Sequence, residues 1–385
     1  MRREDDNIPK SYDVIIVGAG SMGMSAGYEL AARGARTLLI DAFDPPHNMG
    51  SHHGEPRLIR HAYHGGDTYV KMALRADERW LALEKATGEK LLERSGVLNM
   101  AESSFYNYEG RLGDAIANGV QVELLRAEEI NRRFPGVQLA GSFQGMYEPN
   151  AGYLYSEKCV AAYKQQALAA GAELLINSFV TDIQASASSV TVHTKEAAYT
   201  AQQIIITAGA WFGMLANHVK LPIRAVRKVV GWFETRSPAF DAGVFPGFTW
   251  GGAMGGYYGF PSIGGAGIKI GRHDTGVEWQ PGEPIAPFGA YPEDEEDLRR
   301  ALAAFVPDAA GKLLRGAVCK YEFTPDEDFI IDAHPEHHNV LLAGGFSGHG
   351  FKFASVVGEI LADKIQKKNT GYDLRLFELD RFSRA

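Results

Sequence analysis

A chain of 385 residues is long enough for one large fold or two intimately joined domains, and 45% hydrophobic against 22% charged residues suits a globular protein with a sizeable core. The net charge of −8 argues against nucleic acid or an anionic membrane as a partner, and no run of about 18 apolar residues offers a membrane span. Two widely separated cysteines, Cys159 and Cys319, argue against a disulfide framework and for a reducing cytoplasm.

The opening MRREDDNIPKSYD lacks an apolar segment, so no secretory signal is expected and residues 1–11 read as a flexible lead-in. The apolar run Val14 to Val17 reads as a buried parallel strand, Ser21 to Arg33 as a helix stopped by Gly34, and Thr37 to Ile40 as a second buried strand. Pro45 and Pro46 break the next stretch into a loop. Ser51 is expected to cap a short helix around residues 56–61, and helical periodicity continues over residues 69–84. A long helix from Ser156 precedes strands around residues 173–176, 189–193 and 204–206. Residues 223–234 and the glycine-rich pieces from Gly247 to Arg272 read as antiparallel strands. A helix over 295–305, strands over 316–324 and 339–344 and a last helix over 350–367 complete the chain.

Nucleotide-fold segments thus stand at the start, middle and end, with antiparallel segments between them. The expected architecture is α/β (α+β): a discontinuous Rossmann-like nucleotide-binding domain (12–90, 155–222 and 325–368) interleaved with an antiparallel-sheet substrate domain (91–154 and 223–324).

Gly18-Ala19-Gly20-Ser21-Met22-Gly23 is a G-x-G-x-x-G run between a strand and a helix. Its first glycine allows a tight turn, its second lets a pyrophosphate approach, and its third lets helix and strand pack closely. The helix N-terminus offers N–H groups to the phosphates. Asp41, at the end of the second strand, can accept from ribose hydroxyls. The position of the motif at the start of the chain favours FAD over NAD. A second cluster, Gly344 to Gly350, also joins a strand to a helix and can bring backbone close to a flat ligand. His349 and Lys352 lie three apart there and share a side.

A lone cysteine is usually a small buried hydrophobe, and Cys159, in mid-helix, reads as core. Cys319 differs: Arg315 and Lys320 flank it in RGAVCKY, and Tyr321 shares its strand face. A thiolate there could join the 8α-methyl carbon of a flavin as a thioether. His52, His53, Arg57, Arg60 and His61 form a basic cluster in which Arg57 and Arg60 are expected on one helix side, suited to a carboxylate. No cysteine or carboxylate accompanies these histidines at ligand spacing, so no metal is expected. In GIKIGRH, Lys269 and His273 face one way while Ile268 and Ile270 face the other. Tyr257 and Tyr258 face opposite ways, so if the Lys269 face lines a flavin cavity only one of them could line it too.

The stretches VGAGSMG, PPHNMGSHHG, RLIRHAY, YYGFP, GAVCKY, PDEDFIID and GFSGHGFKF cover nearly the whole chain after Tyr12. In them the sequence resembles the monomeric sarcosine oxidase and N-methyl-L-tryptophan oxidase family, flavoproteins of D-amino-acid-oxidase-like fold. The resemblance implies covalent FAD on Cys319, a substrate carboxylate held by Arg60 and Lys352, and oxygen activation by Lys269. It adds His273, Tyr258 and Tyr321 as catalytic-cavity residues and Thr249, beside Tyr258, as a substrate contact. His53, Arg57, Val180, Gly348, His349 and Gly350 join the fingerprint residues as cofactor contacts. A monomer acting on an N-methyl amino acid and oxygen, with formaldehyde and hydrogen peroxide as products, is implied too. Pro56 stands where the family usually has threonine, and Gly251 to Gly256 replaces a proline-asparagine-glycine turn. Thr249 matches the N-methyltryptophan branch, where the sarcosine branch has methionine. Oxidation of sarcosine, a cyclic imino acid or a glycated amino acid stays open, as does an electron-transfer flavoprotein that does not use oxygen. A silent nucleotide-binding protein fits less well with the intact Arg60, Lys269, Cys319 and Lys352.

Overall fold

The computed structural model describes residues 10–63 and 66–383. Residues 1–9 of the expected lead-in lie outside them, and Lys10 and Ser11 already belong to the first strand, paired with Tyr199 and Thr200.

An eight-stranded sheet is built on a parallel core. Glu173–Leu175, Thr37–Ile40, Lys10–Val17 and Ala198–Ile206 lie in that order, and Val340–Gly344 continues beside the end of Ala198–Ile206. The run Val14 to Val17 is apolar throughout because both sheet faces are covered. Val14 and Ile16 enter one core with the helices Ser21–Ala32 and Ala354–Ile365, while Ile15 and Val17 enter another with Phe212 and Leu215. The two helices meet closely: a Cβ on Gly358 would stand 2.2 Å from Ser25 Oγ.

The second sheet has nine strands, and its register decides the site. Cys319 pairs with Lys228, Lys269 with Trp232 and Phe260, Tyr258 with Gly271 and Thr249, and Thr249 with Asn99. Directly paired residues project from the same face. Cys319, Tyr321, Lys269, Tyr258, Thr249 and Asn99 therefore share one face. The other face carries Phe233, Phe248, Trp250, Tyr257, Ile268 and Ile270, which pack under Leu298, Leu302 and Phe305 of the helix Glu293–Phe305.

The expected helix over 56–61 is instead the strand Arg57–Ile59, paired antiparallel with Gly152–Leu154. Pro56 brings no N–H, and the N–H groups of His61 and Ala62 donate to Glu148 Oε2 at 2.8 and 3.0 Å, not to helical carbonyls. Arg57 and Arg60 thus do not share a helix side. The helix Ala354–Ile365 also starts later than expected, after a single 3₁₀ turn, Phe351–Phe353. Among the described residues, no helix is long and apolar enough to cross a membrane.

Candidate active site

One cleft opens at the end of the parallel strands. Gly18, Gly20, Ser21, Met22, Asp41, Arg57, Val180, Gly348 and Gly350 line it. Each fingerprint glycine has its own reason. Gly18 sits at φ +93°, and a Cβ there would stand 2.5 Å from the Thr207 carbonyl oxygen. A Cβ on Gly23, which underlies the cleft, would stand 1.9 Å from the Gly18 oxygen. A Cβ on Gly20 would meet only His52 Nδ1, at 3.8 Å, and a side chain there would fill the cleft. Asp41 accepts the N–H of Ala19 at 2.7 Å and of Phe43 at 2.8 Å, which ties the fingerprint turn to the second strand.

A second cleft adjoins the first along Arg57, Tyr321, Gly348 and Phe351, which line both. Cys319 lies near this seam, buried, with Sγ 3.7 Å from the His53 carbonyl. Arg57 donates to the carbonyls of Ser51, His53, Gly54 and Pro56. Lys269 Nζ donates to two of the same carbonyls, Gly54 at 2.6 Å and Pro56 at 3.2 Å. Burial, and then Arg57, push the Lys269 amine well below its usual range. Glu157 Oε1 accepts the Gly54 N–H at 2.6 Å and lies 3.5 Å from His53 Nδ1. Burial alone would raise the Glu157 carboxyl, but His53, Ser156, the Gly54 N–H and Arg57 outweigh it and hold it down to about 2. The basic groups around Cys319 include Arg57 and Lys269, neither adjacent in sequence, whereas Arg315 stacks 3.7 Å over the Trp232 ring.

The second cleft is lined by Arg60, Thr249, Tyr258, His273, Tyr321, His349 and Lys352, which brings these expected residues together, whereas Lys269 is in the lining of neither cleft. Lys352 Nζ donates to Tyr63 Oη at 2.8 Å and the His349 carbonyl at 2.7 Å. Arg60 Nη1 donates to Asn99 Oδ1 at 2.8 Å, while its buried Nε has no protein partner. Burial, then Arg60, hold the Lys352 amine below its usual range, against the pull of Tyr63. Burial and the charges of Lys228, Arg60 and Lys352 push the His273 ring down to about 4, so it is neutral at neutral pH. Both tyrosines are in the lining of this cleft, although only one was expected there; the Tyr257 hydroxyl donates to Asp297, and Tyr258 is the one that meets Tyr321.

Sequence reasoning missed the frame behind Arg60. Asn99 Oδ1 accepts from Arg60, from Thr249 Oγ1 at 3.1 Å and from Arg111 Nη2 at 3.4 Å. Arg111 also reaches Glu148 Oε1 at 3.2 Å. The signal was the polar Asn99 inside the apolar run Val97 to Ala101, where a buried polar group demands partners. Arg111 gave no signal. Gly348 was expected to admit a ligand, yet a Cβ there would stand 2.1 Å from the Tyr321 ring.

These features define a dinucleotide-dependent redox enzyme, and the chain belongs to the FAD dependent oxidoreductase family, whose model matches residues 13–364. It is similar to monomeric sarcosine oxidase of Bacillus sp. (strain B-0618), 46% identical over 376 residues that cover 96% of both chains. It is also similar to N-methyl-L-tryptophan oxidase of Salmonella heidelberg (strain SL476), 41% identical over 377 residues that cover 97% of this chain and 99% of the other. In fold it resembles the amino acid oxidase NikD (TM-score 0.83, 22% identity, 96% of this chain and 98% of that one). Glycine oxidase from Geobacillus kaustophilus is similar in fold too (TM-score 0.81, 23% identity, 97% and 99%). The open space at Gly20 and the N–H groups of the helix that follows fit FAD, with its phosphates on the fingerprint turn.

Proposed function

We propose that this chain oxidises the C–N bond of an N-methyl amino acid, with FAD held through Cys319 and oxygen as the acceptor. The observation that carries the reading is the orphaned Arg60 Nε beside Lys352 in a cleft that shares its wall with the dinucleotide site. Half-buried Arg60, with its Nε fully buried, and buried Lys352 are basic groups in need of an anion, and Glu148 is already engaged by four protein donors. A substrate carboxylate would supply it. Neutral His273 adds no charge that would oppose a cationic amine or compete with its deprotonation. Bound FAD supplies the two-electron acceptor. The imine left on the substrate takes up water and yields the amino acid and formaldehyde, with oxygen leaving as hydrogen peroxide.

Thr249 and Gly251 support a side chain larger than that of sarcosine. Thr249 is shorter than methionine, and a Cβ on Gly251 would meet nothing within 4 Å. The higher whole-chain identity to a sarcosine oxidase supports sarcosine as the second reading. The test is peroxide release from N-methyl-L-tryptophan and sarcosine, compared as kcat/KM. A ratio above one for the larger substrate is expected. A ratio below one installs the second reading, and turnover only with an artificial acceptor overturns the oxidase. A cytoplasmic monomer is part of the same proposal, and the lack of a disulfide between Cys159 and Cys319 supports the reducing compartment.

Asn99 positions Arg60 in this reading. Asn99→Ala should raise KM about tenfold, the scale of a lost hydrogen bond to a charged group, with a smaller change in kcat. Steady-state kinetics on the preferred substrate would check the split.

A further inference from the structure

Glu322 is a buried acid with no task in the reading above. It lies on the strand Leu313–Phe323, on the face opposite Cys319, and lines the dinucleotide cleft. The residue is 5% exposed, and its Oε2 is fully buried without a hydrogen-bond partner. Other buried acids are served: Asp294 by Arg227, Glu29 by Arg79 and Arg33, and Glu148 by four donors. Lys320, on the same face, sends its Nζ to the Asn48 carbonyl at 3.2 Å. Burial, opposed by the Phe346 N–H, raises the Glu322 carboxyl to about 8, which favours the neutral form. A neutral carboxyl can both donate and accept.

Its place in the cleft indicates what it meets. A Cβ on Gly209 would stand 3.4 Å from Oε2, and Gly209 closes the turn whose Thr207 backs Gly18. Phe346, on the other side, belongs to the turn that leads to the seam with Cys319 and Arg57. Glu322 therefore lies between the fingerprint turn and the seam. In FAD the hydroxylated ribityl chain joins the phosphates to the ring. A phosphate beside a carboxyl would favour separation, whereas a hydroxyl satisfies it. We propose that Glu322 is a cofactor-binding residue whose carboxyl exchanges hydrogen bonds with a ribityl hydroxyl of FAD. The inference rests on FAD filling this cleft and is independent of which amine is oxidised.

The test uses the full chain made flavin-free by riboflavin-limited expression and titrated with FAD and, separately, with ADP, which lacks the ribityl chain and ring. Glu322→Met should weaken FAD about tenfold and leave ADP unchanged, while Glu322→Gln keeps FAD within about threefold of wild type. Equal FAD binding by wild type and Glu322→Met overturns the proposal, and so does an equal loss for ADP. Should Glu322→Met fail to fold, FAD analogues that each lack one ribityl hydroxyl are titrated into the wild type. One of them must lose about tenfold in wild type and little in Glu322→Ala, whose side chain no longer reaches the hydroxyl; an equal loss in both proteins, or no loss with any analogue, overturns the assignment. The amine panel and the FAD titration fail separately.

Discussion

Cys319→Ala should release its flavin on acid denaturation, leaving a colourless pellet and a yellow supernatant, while the wild type keeps its flavin in the pellet. The physical argument is positional. Cys319 is 4% exposed, sits near the seam of the two clefts, and lies within electrostatic reach of the Arg57 guanidinium. Arg57 spends its N–H groups on carbonyl oxygens, so its charge is not cancelled by a carboxylate at hydrogen-bond range. A merely structural Cys319 would pack with Val230 and Trp232. It would then show no difference in release between wild type and variant. Complete release from the wild type would remove the covalent bond from the proposal and leave the FAD-dependent family untouched.

Lys269→Met should slow the oxygen half-reaction by about 10²–10³, the cost of removing one preorganised electrostatic group, while substrate KM moves by no more than a few-fold. Stopped-flow reduction and reoxidation, measured separately, would check it. Lys269 is 1% exposed, with its Nζ 4.9 Å from the Phe260 ring and 5.3 Å from the Trp232 ring. The carbonyls of Gly54 and Pro56 hold its Nζ. Those bonds also make a structural role concrete: Lys269 and Arg57 together pin the backbone around Gly54 and Pro56. If pinning were its whole contribution, the methionine variant would lose flavin retention and substrate binding along with the oxygen reaction. Unchanged oxygen kinetics would remove the assigned role.

The parts of this fold that were legible in the sequence are those dictated by local pattern. The first strand, its helix and the second strand are contiguous, and their glycines answer to close neighbours. Period-two alternation placed Lys269 opposite in sense to Ile268 and Ile270, and Cys319 with Tyr321, because a strand leaves a side chain two choices of face. The segment Arg57–Ile59 was misread because its fate depends on a partner about a hundred residues away, Gly152–Leu154, and on the Glu148 carboxylate that takes the next two N–H groups. Arg111 belongs to the same class. Nothing near it in sequence foretells a contact with Asn99 and Glu148, since only the assembled sheet brings them together.

The shared sheet face has a consequence for how such an enzyme can change. Chemistry occupies alternate positions of neighbouring strands, and the positions between them hold the apolar layer under the helix Glu293–Phe305. The two duties fall on different residues of the same segments. A mutational search for new substrates can therefore be confined to positions such as Asn99, Thr249 and Tyr258, with Phe248, Trp250 and Tyr257 left as they are. Altered selectivity and a retained core then become separable traits, inherited side by side along a single strand.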